Sequence, residues 1–386
     1  MKLSIIGAGI GGLTTAIAIK KFNPEIEIEI FESNKILTAA GAGLALAANA
    51  MEAFKIIGIE SKILEKAQII DGFQILNKKG KIITQTNNLQ VNIDLNTVSN
   101  FSIHRADLQE ILLNELNRVK VNYNKKVSTF IQNNDSVEIH FLDGSSHKSD
   151  CVIAADGIHS VFRKNLVPYS SIRFAGYTCW RAVIENNGLP IKKSFATETW
   201  ADGKRFGIVP LRNNKIYWFA CINSPQMKDE SFASFKIRNL DFAFKGFHNP
   251  ISEIIKNTKN EQLIWNDIID FKPIQKFAFN NVLLLGDSGH ATTPNMGQGA
   301  CQAIESAVVI AKLLALEKNY QSAFIEFEKR RIKRTSFIVN RSFQIGKISQ
   351  IQNPIISSIR NFVFSLIPES SNKKQIEQIL KTDFNF

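Results

Sequence analysis

The chain is poor in the residues that staple small extracellular folds or hold metals. Its 386 residues contain four cysteines, Cys151, Cys179, Cys221 and Cys301, none of them in a C-x-x-C pair and all among apolar neighbours. That scatter argues against a disulfide framework and against a metal site, and for buried, reduced thiols. No stretch offers the ~18 or more uncharged apolar residues that a membrane span requires. The N-terminus, MKLSIIGAGIGG, enters a strand and a glycine turn at once, without the pattern of a secretory signal, so a cytoplasmic protein is expected. No aromatic-interleaved basic stripe marks a nucleic-acid surface. No Ser/His/Asp or Cys/His constellation marks a dedicated nucleophile.

What remains is an ordinary globular composition, 44% hydrophobic and 21% charged, in a chain long enough for two or three domains. The net charge of +12 suits an anionic partner, although lysines in segments such as NYNKKV read mainly as solvated surface.

The first chemical signal is at the N-terminus. An apolar strand over 2–6 runs into Gly7-Ala8-Gly9-Ile10-Gly11-Gly12, then a helical LTTAIAIKKF, then the alternating EIEIEIFE ending at Glu32. In a strand–turn–helix of this kind Gly7 permits the tight turn, Gly9 lets a pyrophosphate approach the backbone, and Gly12 lets helix and strand pack closely. The helix N-terminus offers free N–H groups to phosphate, and Glu32 can accept hydrogen bonds from a ribose diol. The pattern indicates a dinucleotide without distinguishing NAD from FAD.

Two later strands also end in acids. Strands over 127–132 and 137–141, turned at Asp143-Gly144, lead to an apolar strand at 151–154 that runs into Asp156-Gly157 and a short helix carrying Arg163. Residues 281–287, NVLLLGD, repeat the arrangement, and Pro294-Asn295-Met296-Gly297-Gln298-Gly299 opens a helix with apolar positions every three to four residues. Carboxylates at the C-terminal ends of strands point into the crevice where such sheets bind ligands. Asp287 and His290 could form a proton-handling pair, or stand in one wall of a site whose other wall lies elsewhere in the chain, with His290 supporting the turn.

Taken in this order, the Gly7–Gly12 turn, ADGIHSVFR and GDSGHATTPNMGQGACQAIESA resemble the single-component FAD-dependent monooxygenases, the aromatic-hydroxylase-like flavoproteins. The resemblance runs from Met1 to about Ser342. It implies an α/β fold: a Rossmann-like, glutathione-reductase-like FAD-binding domain, an inserted, mostly antiparallel β-sheet substrate domain and a C-terminal helical segment. The expected division is FAD-binding parts at 1–70, 101–168 and 271–342, substrate-domain strands at 71–100, a substrate-binding sheet at 169–270, and the helical segment at 343–386. The cofactor-binding residues it implies are Gly7, Gly9, Gly11, Gly12, Glu32, Ser33, Gly43, Arg105, Val127, Asp156, Asp287, Gly297, Gln298, Gly299 and Ala300. Among these, Arg105 would lie near the pyrophosphate and flavin, Val127 would meet the adenine, and Gly297–Ala300 would turn N–H groups to the pyrimidine edge of the flavin. Departures occur at Ser288-Gly289 and Ala48, where the family often carries Ala-Ala and Pro.

The aromatic-rich stretch between Tyr169 and Asp267 reads as the substrate sheet, with helices near 235–247 and 251–257 and further strands within 72–85. Arg205 and Tyr217 match substrate-proximal positions of urate-hydroxylating relatives and are the expected catalytic residues. Arg181 and the tryptophans are expected to pack at the core or domain interface. The resemblance implies hydroxylation or epoxidation of a small aromatic or isoprenoid substrate with molecular oxygen, through a C4a-hydroperoxyflavin. NAD(P)H would be the co-substrate, NADPH favoured, docking without its own Rossmann domain because a second G-x-G-x-x-G is missing. Rival readings on the same fold are a reductase of isoprenoid double bonds, a halogenase (W-x-W-x-I-P is absent), or a flavin-bound partner-binding or redox-sensing module. The amphipathic PIISSIRNFVFSLIP is expected to pack on the flavin domain, with peripheral membrane contact the less favoured reading.

Overall fold

The computed structural model describes residues 1–36, 42–87, 98, 100–367, 384 and 386. Two sheets organise it. The first has six strands in the order Ala278–Phe279, Val282–Leu284, Cys151–Ala154, Lys2–Ile6, Glu27–Phe31 and Lys120–Asn122. All its neighbours are parallel except the first pair. Cys151–Ala154 and Val282–Leu284 are apolar throughout and fully buried, because central parallel strands are covered on both faces. A three-stranded antiparallel unit, Val127–Gln132, Val137–Phe141 and Ser146–Ser149, sits beside this sheet.

The second sheet has seven strands: Ile264–Phe271, Ile172–Glu185, Lys215–Asn223, Lys204–Leu211, Phe195–Ala201, Gly72–Asn77 and Ile82–Asn87. Every neighbour pair is antiparallel except Phe195–Ala201 with Gly72–Asn77. The side chains alternate between its faces. Trp180, Phe206 and Trp218 point to one face and join Leu240, Phe244, Ile251 and Ile254 in a separate core. Arg205, Tyr217 and Phe219 point to the other, toward the first sheet's domain. The covering helices are Ile237–Ala243 and Ile251–Lys256, the first shorter than expected because Gly246 takes a left-handed conformation (φ 80°) just beyond it.

Helix Gly299–Leu316 has the length and apolarity of a membrane span, but it packs among Ile10–Phe22, Ala48–Ile57 and Tyr320–Ser349 as a core helix. Helix Pro354–Ser365, the last among the described residues, differs from expectation. It rests on the second sheet at Ile82–Asn87 and Trp200, not on the domain built around the first sheet as expected, and most of the helical tail expected beyond it lies outside the described residues.

Candidate active site

Two helix N-termini meet where the parallel strands end. Gly11, second in helix Ile10–Phe22, would bring a Cβ within 3.3 Å of the Ala303 Cβ, which lies in the second turn of helix Gly299–Leu316. A Cβ on Gly12 would collide with the Gly7 carbonyl oxygen, and one on Gly7 would sit 2.5 Å from the Ala155 carbonyl oxygen, so the turn is closed to any larger residue. Gly9 differs: a Cβ there would meet open space. Neither helix has a side-chain N-cap, so both first turns keep N–H groups that no intrahelical carbonyl can reach. Gly286 and Gly297, at φ 68° and 62°, turn the chain into and out of the connecting loop.

Charged groups ring this cleft. Glu32 is buried; one carboxylate oxygen accepts the Ala8 N–H at 2.8 Å, and the other accepts from the Asn34 backbone and side chain at 2.8 and 2.7 Å and from Ser33 at 3.2 Å. The oxygen facing Ala8 keeps a lone pair for another donor. Arg105 opens helix Arg105–Asn114, and its side chain and that of Asp287 are accessible within an enclosed cleft. Enclosure pushes the Asp287 carboxyl up, and the Arg105 charge opposes this. Enclosure likewise pulls the Arg105 guanidinium down, helped by Arg181 and opposed by Asp287. Asp156 accepts the Val161 N–H at 3.0 Å through one oxygen, while the other is shielded and unpartnered. Burial raises this carboxyl to about 6. Val127 is buried in the three-stranded unit, in the same core as Ile6 and Ala8, and Lys125 two residues earlier donates its N–H to the Glu32 carbonyl at 2.8 Å.

The Asp287–His290 pair does not form a proton relay. His290 is buried against Phe277, its Nε2 is 3.3 Å from Ser306 Oγ, and burial pushes its pKa down to about 3. Ser288 also ties structure together: its hydroxyl accepts the Leu285 N–H at 3.0 Å and lies 2.5 Å from the Ala154 carbonyl, joining two parallel strand ends.

Behind the second helix N-terminus lies a buried polar cluster that sequence reasoning missed. Gln298 accepts from Asn49 at 3.1 Å and from Gln302 at 3.0 Å. Asn49 also donates to Glu305 at 3.0 Å, and Glu305 pairs with Arg331 and, at 2.6 Å, with Arg334. Burial works to raise the Glu305 pKa, yet the two guanidinium groups hold it below the ordinary range. A lone Glu inside the apolar run ACQAIESAVVIA was the available signal, since an unpaired carboxylate there would be prohibitively costly.

The substrate-side residues share a face without converging. Arg205 aligns with Cys221, and Tyr217 lies four residues further along that strand, about 13 Å away at strand rise. Arg205 donates from Nε to Gln350 at 2.9 Å, from Nη1 to Glu198 at 3.0 Å and from Nη2 to Asn295 at 2.9 Å. Asn295 also accepts from Tyr177 at 2.9 Å and donates to Thr293 and Ser342, both at 2.9 Å. Arg205 is thus a buried tie between the sheet and the Pro294–Gly297 turn. Tyr217 lies against Gly43, where a Cβ would stand 2.5 Å from its own Cβ. Strand Gly43–Ala47 continues from there to the second helix N-terminus: Ala45 carbonyl lies 3.6 Å from where a Gly297 Cβ would be, and the Ala47 N–H reaches the Cys301 sulfur at 3.4 Å. Phe73, Tyr217 and Phe219 form an aromatic wall over Ile70 and Val209.

These features fit FAD: an open backbone approach at Gly9, two uncapped helix N-termini side by side, and an unpartnered carboxylate oxygen beneath them. The FAD binding domain family matches residues 1–325. An aurachin C monooxygenase/isomerase of Stigmatella aurantiaca is 34% identical over 358 residues, 92% of this chain and 91% of its own. A 2-heptyl-3-hydroxy-4(1H)-quinolone synthase of Pseudomonas aeruginosa is 26% identical over 378 residues, 97% of this chain and 96% of its own. The crystal structure of Klebsiella pneumoniae HpxO complexed with FAD and uric acid superposes with a TM-score of 0.90 at 25% identity, over 98% of this chain and 96% of that one. These names do not favour the reductase or non-enzymatic readings. The chain belongs to the FAD binding domain family and is an FAD-dependent monooxygenase of the aromatic-hydroxylase type.

Proposed function

We propose that the chain hydroxylates an aromatic heterocycle bearing an apolar substituent, of the alkylquinolone kind, using O2 and NADPH. One oxygen atom enters the ring and the other leaves as water, with the hydride of NADPH and a proton balancing the reaction. The observation that carries this reading is strand Gly43–Ala47, which runs from Tyr217, clustered with Phe73 and Phe219, to the Gly297 turn at the second helix N-terminus. The name of one relative, a 2-heptyl-3-hydroxy-4(1H)-quinolone synthase, supports the substrate class and favours hydroxylation over epoxidation of an isoprenoid.

FAD, when bound, supplies the redox and oxygen-activating chemistry. The chain's residues bind, orient and exclude water. The Gly7–Gly12 turn, with Gly9 open and Gly11 and Gly12 presenting N–H groups, would hold the pyrophosphate. Glu32, with Ser33 beside it, would take the adenosine ribose, and Val127 the adenine. Arg105 and Asp287 would bracket the pyrophosphate and ribityl region, with Asp156 at the adjoining strand end. The N–H groups of Gly297, Gln298, Gly299 and Ala300 would stabilise negative charge on the flavin's pyrimidine edge, as a helix N-terminus favours anions. Gly43 would admit both cofactor and Tyr217. Tyr217 would line the substrate pocket; Arg205 would act as a positioning residue, holding Asn295 and so the turn before Gly297. Residues 1–70, 101–168 and 271–342 would form the cofactor unit, and 71–100 with 169–270 the substrate unit.

The test is NADPH-driven O2 consumption with a series of alkylquinolones. Stimulated flavin reduction and a product heavier by one oxygen atom are expected. Equal rates with and without every alkylated aromatic would overturn the substrate class.

A further inference from the structure

Helix Pro354–Ser365, the last among the described residues, is inside out. Its polar residues Ser357 and Arg360 are buried, at 4% and 5% exposure, while Ile355, Ile356, Ile359, Phe362, Val363 and the following Leu366 stand 51–72% exposed. These six positions fall at i, i+1, i+4, i+7, i+8 and i+11, one continuous stripe along a helix.

The orientation is enforced by specific contacts. Asn353 caps the helix by accepting from the Ile355 and Ile356 N–H groups at 3.0 and 3.2 Å. Ser357 donates to Asp202. Arg360 donates to the Ile348 and Ser349 carbonyls at 3.1 and 3.0 Å, filling the open C-terminal carbonyls of the long helix Tyr320–Ser349, and lies 5.0 Å over the Trp200 ring. Phe364 meets the same ring edge-on at 5.4 Å. Turning the stripe inward would strand a buried guanidinium, so the apolar face is held toward solvent.

The chemistry beside the stripe is basic. Trp200, on which the helix rests, pairs in register with Asn77, the last residue before the hairpin tip Lys78-Lys79-Gly80-Lys81. All three lysines are exposed, as is Ile82 after them, and the helix packs against the strand Ile82 begins. Lys78 reaches over the Phe247 ring at 5.6 Å, leaving Lys79 and Lys81 at the tip. The carboxylates at the base of the helix are engaged, Asp202 by Ser357 and Glu198 by Trp200 and Arg205.

We propose that this helix and the lysine hairpin form a docking surface for an anionic lipid bilayer, the stripe entering the headgroup–acyl boundary and the lysines pairing with lipid phosphates. An apolar stripe with a cationic rim matches that partner in both respects, whereas a second copy of this +12 chain would bring the same lysines to face one another. The inference does not depend on the substrate proposed above.

The test is co-sedimentation of the full-length FAD-loaded protein with vesicles of phosphatidylcholine, with or without about one-third phosphatidylglycerol. Binding to the anionic vesicles is expected, weakened by salt. The double variant Ile359→Ser/Phe362→Ser should lower the bound fraction by about tenfold. A triple variant, Lys78→Gln/Lys79→Gln/Lys81→Gln, should remove the preference for anionic lipid. Flavin absorbance and circular dichroism matching the parent would show that the variants fold. Failure of the parent to sediment, binding indifferent to the stripe variants, or a concentration-dependent dimer that Ile359→Ser/Phe362→Ser dissociates would each overturn the proposal; the last would assign the stripe to a second copy. Hydroxylation in detergent-free buffer reads the substrate proposal separately.

Discussion

The first sheet and the second, proposed as the cofactor half and the substrate half, offer different materials for a site. Around the first sheet the working groups are backbone: glycines without room for a Cβ and N–H groups at two uncapped helix starts. On the second sheet they are side chains from separate strands, brought to one face by register alone. A backbone seat demands particular residues at fixed spacing, whereas a side-chain wall tolerates substitution. One fold can therefore keep its cofactor while changing its substrate.

Breaking the cofactor half should have the largest effect. Gly12→Ala forces a Cβ into the Gly7 carbonyl, and a loss of about 3 kcal/mol or more is expected, read as insoluble or flavin-free protein. Glu305→Leu leaves Arg331, 2% exposed, without its carboxylate; about 3–5 kcal/mol of stability should be lost, measured by urea denaturation. Asp287→Ala touches only the accessible wall. It should preserve the fold and weaken FAD binding by about tenfold, or ~1.4 kcal/mol, by fluorescence titration. Unchanged affinity would remove Asp287 from the cofactor site.

The substrate half should respond more mildly. Tyr217→Phe should leave FAD content intact and change KM for the aromatic substrate by no more than about tenfold, since only a hydroxyl is lost. A pH effect gives the most selective signal. His290 is held neutral, with its folded pKa about 3 against 6.5 unfolded, so between these values the unfolded chain binds more protons. Its contribution is complete above pH 6.5 and declines on acidification toward 3, by at most ~1.4 kcal/mol per pH unit. His290→Phe should flatten that acid limb; an unchanged slope would assign it to other groups.

Legibility in the sequence follows the same division. The strands at 127–132, 137–141 and 151–154 and the glycine turn were readable because local pattern and backbone demand coincide there. Arg205 and Tyr217 could be placed on the substrate sheet, but not the separation between them or the saturation of Arg205 by Gln350, Glu198 and Asn295. Those partners lie 7 to 145 residues away in the chain, and tertiary packing, not local pattern, joins them. The final helix was legible as amphipathic; which face it buries was decided by Arg360 meeting the end of the preceding helix.

Isotopically labelled O2 tests the central claim most directly. With FAD-loaded protein, NADPH and an alkylquinolone, the product should carry one labelled oxygen atom, and NADPH oxidation should rise with substrate. A product labelled only from water, or NADPH oxidation that yields hydrogen peroxide and no oxygenated product with any aromatic, would contradict it.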